Sequence, residues 1–117
     1  ITLFHPIWWI DRPAILKGYI DRVFALGFAY GHGSSGPVGT LKGKRAVIFT
    51  SAGSTQAHFD ESGKMQAIRV AQDMGTMQFC AIDMIEHIHF SPVGSRSTPE
   101  MIAGYKRRVE EVVRTHF

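Results

Sequence analysis

The chain has 117 residues, 44% of them hydrophobic, enough for one domain with a real core, residues 1–117, and too few for two. Its single cysteine, Cys80, excludes an internal disulfide and a cysteine-built zinc cluster and favours a reducing, cytoplasmic setting. Thirteen basic against ten acidic residues leave a net charge of +3, but the basic residues cluster only at Lys42, Lys44 and Arg45 and at Lys106, Arg107 and Arg108, which read as a solvated loop and a solvated helix face, not a nucleic-acid patch.

Residues 1–7 open the chain with strand character. Asp11 stands where it can cap a helix and Pro13 lies in the first turn, after which Ile15, Leu16, Tyr19, Ile20, Val23 and Phe24 recur at helical spacing and predict one buried face. Gly27 ends that periodicity, and Gly31, Gly33, Ser34, Ser35, Gly36, Pro37 and Gly39 predict a long flexible loop. Residues 45–50, RAVIFT, are continuously apolar after the arginine, as in a parallel strand covered on both faces, and they run straight into SAGST at 51–55. Beyond a polar loop, Met65, Ile68, Gln72, Gly75 and Phe79 predict a second helix, and residues 85–90 a third strand that leads into SPVGSRS. Ser97 or Thr98 as cap, Pro99 and Glu100 in the first turn, and Ile102, Tyr105, Val109, Val112 and Val113 predict a closing helix.

Strand and helix therefore alternate three times, the order of an α/β protein with right-handed crossovers and a parallel sheet. Ligands of such sheets sit beyond the carboxyl ends of the strands, so residues 6–10, 50–55 and 90–94 are expected side by side at one end. Apolar runs such as residues 46–49 fall far below the roughly 20 residues of a membrane-spanning helix, and the first residues lack the basic segment of a secretory signal, so no membrane insertion is expected.

The residues at that end admit several chemistries. No glycine-rich dinucleotide fingerprint or Walker loop is present. His58, Asp60 and Glu61 lie close together without a ligand spacing that identifies a metal, and no metal site is expected. Ser51, Ser54 and His58 lack the G-x-S-x-G elbow of acyl-transfer enzymes. The small residues of TSAGS either let backbone N–H groups approach an electron-rich ring edge or form a plain strand-to-helix turn. Trp8 and Trp9, adjacent at the end of a strand, either offer a flat apolar surface to a ligand or belong to a core or interface. Tyr30 and His32 read equally as surface residues of a mobile loop.

Taken together, HPIWWIDRPAILKGYIDRVF (5–24), GFAYGHG (27–33) and TSAGS (50–54), in this order and at these separations, resemble the flavodoxin-like NAD(P)H dehydrogenase (quinone) family. That family includes quinone reductases and the ancillary oxidoreductases of glutathione-gated potassium efflux systems, and the resemblance runs from residue 2 to residue 114. It implies a flavodoxin-like doubly wound parallel sheet with helices on both faces, a noncovalent flavin (FAD or FMN), NAD(P)H as cosubstrate, and a homodimer with each site at the subunit interface. Position by position, Pro6, Ile7, Trp8, Trp9 and Ile10 match the loop along the isoalloxazine, and Thr50, Ser51, Ala52 and Gly53 match the loop whose backbone donors face the pyrimidine end. Trp9, Tyr30 and His32 match substrate-pocket positions, the last two reaching into the partner's site. His58 stands at a position where relatives carry a tyrosine that manages the proton, which makes it the candidate catalytic residue, and Ser62 stands near their histidine.

The activity so implied is hydride transfer from NAD(P)H through flavin to a quinone or similar two-electron acceptor. The alternative is a regulatory subunit that makes peripheral contact with a potassium efflux transporter. The first βαβ unit of the fold and its phosphate loop find no match, so the strands read here would be the third, fourth and fifth of the order 2-1-3-4-5. The uncharged apolar edge TLF (2–4) is then expected to meet a further strand, from residues that precede Ile1 or from a second polypeptide.

Overall fold

The run AVIFT presents no polar face to water, so a strand built from it is stable only where both faces are covered. The computed structural model describes residues 1–117, with elements β1 (Thr2–Pro6), α1 (Ala14–Val23), β2 (Tyr30–Gly33), β3 (Gly36–Gly39), β4 (Arg45–Ser51), α2 (Gln56–Glu61), α3 (Lys64–Arg69), a π-helical segment Val70–Gln78, β5 (Asp83–Phe90) and α4 (Pro99–His116). β4 is the centre of a three-stranded parallel sheet, ordered β1-β4-β5, and Ala46, Val47, Ile48, Phe49 and Thr50 are all buried. Side chains alternate across it. Ala46 and Ile48 join Ile20, Ala29, Met77, Cys80 and Ile82 on one face, while Val47 and Phe49 join Ile88 and Val112 of α4 on the other.

The register runs from Thr2↔Val47 to Pro6↔Ser51 and from Arg45↔Asp83 to Ser51↔Phe90, with one irregularity between Ala46 and Val47. Pro6, Ser51 and Phe90 thus end level, and the three following loops leave from the same end of the sheet, as expected. β1 has a strand neighbour on its β4 edge only. The closing helix starts as read, with Thr98 Oγ1 accepting the Met101 N–H at 3.2 Å and Pro99 in the first position.

Four local expectations about the helices are corrected. Asp11 does not cap α1: Pro13 is the cap residue and makes no side-chain bond, while the Asp11 carboxylate accepts the Arg12 N–H at 2.7 Å. α1 does not bury all its apolar residues on one face; Ile20 is buried, whereas Ile15 is 88% and Tyr19 54% exposed, because those two point away from the sheet. The polar stretch before the second helix contains α2, capped by Thr55, whose hydroxyl accepts the His58 N–H at 3.3 Å. The helix predicted over residues 65–79 begins as α3 and widens into the π segment, where the Thr76 hydroxyl donates to the Ala71 carbonyl at 2.8 Å.

The expected flexible loop is the antiparallel hairpin β2–β3, turning at Ser34 and Ser35, with Tyr30↔Gly39 and Gly33↔Gly36 paired. Its glycines serve close approach more than freedom. A Cβ at Gly39 would stand 2.4 Å from Ala81 N and Cys80 C, so the hairpin lies flat on backbone that has no room to give. Gly39→Ala is therefore expected to destabilise the protein by about 1–3 kcal/mol, read as a drop in the denaturant midpoint, whereas Gly31→Ala, on the same hairpin with its Cβ no nearer than 3.9 Å to Thr40 Cγ2, serves as the control.

Candidate functional site at the carboxyl end of the sheet

Immediately after β1 the chain reverses. The Trp8 N–H donates to Asp11 O at 2.9 Å and the Asp11 N–H to Trp8 O at 3.0 Å, closing a turn whose central residues, Trp9 (φ 52) and Ile10 (φ 65), both lie in the left-handed region. A β-branched residue and a tryptophan there cost on the order of 1–3 kcal/mol each, so the surroundings must hold them. They do so from three sides. The Ile7 N–H donates to Ser51 O at 2.8 Å; Ile7 and Ile10 pack against the cluster Phe59, Met65 and Ile68; and the buried Arg12 reaches Gln72 O at 3.4 Å while lying 3.8 Å from the Asp11 carboxylate. The result is that Trp9 stands 99% exposed, with Trp8 at 60% beside it.

The second loop is fastened on both sides. The Ala52 N–H donates to Phe90 O at 3.1 Å and the Val93 N–H to Ala52 O at 2.7 Å, and the Ala52 methyl joins the same apolar cluster as Ile7 and Ile10. The N–H groups of Trp9, Ile10, Gly53 and Ser54 have no acceptor within the chain. At Gly53 an added Cβ would meet nothing nearer than Val93 O at 3.8 Å. The end of the sheet therefore presents an exposed indole and four unengaged backbone donors, a set suited to a flat, electron-rich ring. On the α4 side, an open groove of about 440 Å³ runs past Phe4, Phe49, Phe90 and Tyr105 and shares Pro6 and Ser51 with these loops.

Beneath the loops lies a buried polar layer. His5 Nδ1 pairs with Pro6 O at 2.8 Å and its Nε2 with the Gln72 amide at 3.1 Å. His87 Nδ1 pairs with Asp73 at 2.7 Å and its Nε2 with the Thr50 hydroxyl at 3.1 Å, and that hydroxyl also meets His89 Nδ1 at 2.8 Å. The π segment makes this possible, since its wider turn directs both Gln72 and Asp73 toward the sheet. Burial lowers the pKa of His5, and burial together with His87 lowers that of His89 to about 4.

Of the predicted site residues, Pro6, Ile7, Trp8, Trp9, Ile10, Thr50, Ser51, Ala52 and Gly53 come together at this end of the sheet. Ile7, Ile10 and Ala52 spend their side chains on the core, leaving only main-chain groups for a ligand. His58 is exposed on α2, accepts from Lys64 Nζ at 2.8 Å, and shares a depression with Ser54, Thr55 and Arg96. Tyr30 packs edge-on to Phe79 at 5.4 Å, and the cavity it lines contains no residue of either loop; His32 is exposed on β2. No motif marks His5, Gln72, Asp73, His87 or His89 in the sequence. The signal that does exist is HIH within β5, because a spacing of two puts both rings on one face of a strand.

A sequence profile of the flavodoxin-like fold matches residues 1–113, and the chain belongs to this family. It is 38% identical over 93 residues to an NAD(P)H oxidoreductase of Haemophilus influenzae that is itself uncharacterised, spanning 80% of this chain and 46% of that protein. It is 32% identical over 115 residues to NAD(P)H dehydrogenase (quinone) 1 of Cavia porcellus, spanning 92% of this chain and 41% of that one. Among solved structures, a Klebsiella pneumoniae protein described as a quinone reductase superposes with a TM-score of 0.87 at 27% identity, over 97% of this chain and 48% of its own. The chain spans about half the length, or less, of these curated relatives.

The low pKa of His89 fixes a pH dependence. The unfolded chain takes up a proton near 6.5 and the folded protein only near 4, so His89 contributes its full stability above 6.5 and loses it progressively as the pH falls toward 4. Denaturant midpoints measured between pH 7 and pH 4 are expected to fall across that window, and His89→Gln to make the fall shallower while leaving the part due to His5.

Proposed function

We propose that the loops 6–10 and 50–53 hold a flavin and that the protein is a flavin-dependent oxidoreductase in which NAD(P)H is the hydride donor and a quinone or similar two-electron acceptor is the final substrate. The observation that carries this reading is the strained turn that keeps Trp9 fully exposed next to unengaged backbone donors. The relatives named above as NAD(P)H oxidoreductase and quinone reductase point the same way.

When bound, the flavin supplies the two-electron chemistry. In this assignment Pro6, Ile7, Trp8, Trp9 and Ile10 form the wall along the ring, with the Trp9 indole as the flat surface that excludes water. The N–H groups of Trp9, Ile10, Gly53 and Ser54, which have no acceptor in the chain, would donate to the ring edge. Aimed before the reaction at the place where negative charge develops, such donors stabilise the transition state without reorganising. His58 stands beside Ser54 and Thr55 as the exposed group able to exchange a proton with solvent.

A homodimer completes the reading. The outward apolar residues Ile15 and Tyr19 of α1 offer a surface for a second copy. Tyr30 and His32, remote from the loops of their own chain, would then serve the partner's substrate pocket.

Because Trp9 is 99% exposed, Trp9→Ala is expected to leave the unfolding midpoint within experimental scatter. Loss of one aromatic contact of about 0.5–1.5 kcal/mol corresponds to flavin binding weaker by about 2- to 12-fold. Titration followed by flavin absorption and fluorescence reads it. A wild-type protein that takes up no flavin, or a Trp9→Ala variant that retains it with undiminished affinity, would remove the assignment.

A further inference from the structure

Asp73, His87, Thr50 and His89 form one unbroken line of hydrogen bonds, of 2.7, 3.1 and 2.8 Å in that order, and it ends at His89 Nε2, which is buried without a partner. Each member has a reason for its place. Thr50 is the last buried residue of β4 and opens the 50–53 loop; His87 and His89 share a face of β5; Asp73 is turned inward by the π segment.

Donor and acceptor roles follow from the chemistry of the ends. An ionised Asp73 only accepts, so His87 Nδ1 carries a proton. With His87 neutral, its Nε2, at 3.1 Å, accepts from the Thr50 hydroxyl ahead of the more distant Ile88 O at 3.5 Å, Thr50 Oγ1 accepts from His89 Nδ1–H, and His89 Nε2 is left as a bare lone pair. One added proton reverses both bonds to the Thr50 hydroxyl, while His87 Nδ1–H goes on donating to Asp73.

We propose that Asp73, His87, Thr50 and His89 are a proton relay that stores one proton on His87 directly beneath the 50–53 loop. In the step, a proton binds His89 Nε2 when a local fluctuation opens this buried atom to solvent, the Nδ1 proton of His89 passes to Thr50 Oγ1, and the former Thr50 hydroxyl proton passes to His87 Nε2. One proton has been added, no electrons have moved, and the positive charge ends beside the Asp73 carboxylate. His89 returns to neutrality with its proton on the opposite nitrogen.

The surrounding charges favour that end point. His5 on β1 and Arg12 after it, Arg69 on α3 (whose Nη2 lies 3.5 Å from His87 O) and Asp60 on α2 all face this layer, but Asp73 is the carboxylate bonded directly to a ring. His89, held neutral down to a pH of about 4 by burial and by His87, passes the charge on instead of keeping it. A stored positive charge below the loop would offset negative charge arriving above it. That use rests on the flavin reading, and the relay itself does not.

The test is a pH titration of the histidine ring nitrogens by 15N NMR in the flavin-free protein. Over the interval in which His87 becomes doubly protonated, His89 is expected to change from the Nδ1–H to the Nε2–H tautomer without becoming charged. Thr50→Val, which removes the hydroxyl at nearly constant shape, is expected to abolish that coupling, and Thr50→Ser to restore it. A His89 tautomer that stays fixed while wild-type His87 titrates overturns the relay, as does coupling that survives in Thr50→Val. Tautomer exchange in a protein that binds no flavin keeps the relay and removes the proposed function; flavin binding with a fixed His89 tautomer does the reverse.

Discussion

Everything in this fold hangs on one strand that is paired along both edges and covered on both faces. From Ala46 to Phe49 β4 has no exposed side on which a polar residue could rest, so its sequence there is apolar, and the layers on either side are dictated by which of its residues point where. Parallel pairing then makes the three strands end level, and level ends put three loops together. Thr50 is the point at which the apolar run gives way to the site. A hydroxyl buried there needs partners, because an unpaired one would cost about 1–3 kcal/mol, and the two histidines of β5 supply them.

Strain at the Trp8–Asp11 turn is affordable because neighbouring contacts exceed it. Two residues in left-handed conformations cost on the order of 1–3 kcal/mol each. Burying Ile7 and Ile10 against Phe59, Met65 and Ile68 returns about 1.5–3 kcal/mol for each fully buried side chain, less for these partly buried ones. The Ile7–Ser51 bond and the inserted Arg12 add to that. Flanking residues thus hold the turn while Trp9 itself contributes nothing to the core. An indole held in that way is a functional surface in a physical sense: its position depends on the fold, and the fold does not depend on it.

The legible parts of this sequence were those with local causes. The run RAVIFT admits one reading, the Thr98-Pro99-Glu100 signature caps its helix by contacts within one turn, and parallel topology alone put residues 6–10 and 50–53 together. What stayed hidden depended on distant partners. GHGSSGPVG reads as flexible because the close approach that requires Gly39 comes from residues 80 and 81. The Met65–Phe79 spacing fits an ordinary helix, and the widening into π geometry is paired with Asp73 and Gln72 meeting histidines on other strands. Ile15 and Tyr19 share the apolar periodicity of α1 but not its burial, a distinction that only packing reveals.

The proposed ligand position is on the main-chain donors at the carboxyl end of β1 and β4. Backbone amide NMR of the uniformly 15N-labelled protein during titration with free flavin tests it most directly. The account predicts that the largest shifts fall on the N–H groups of Trp9, Ile10, Gly53 and Ser54, with the amides of the Phe4–Phe90–Tyr105 groove moving little. Shifts concentrated along that groove, with the four donors unmoved, would contradict it.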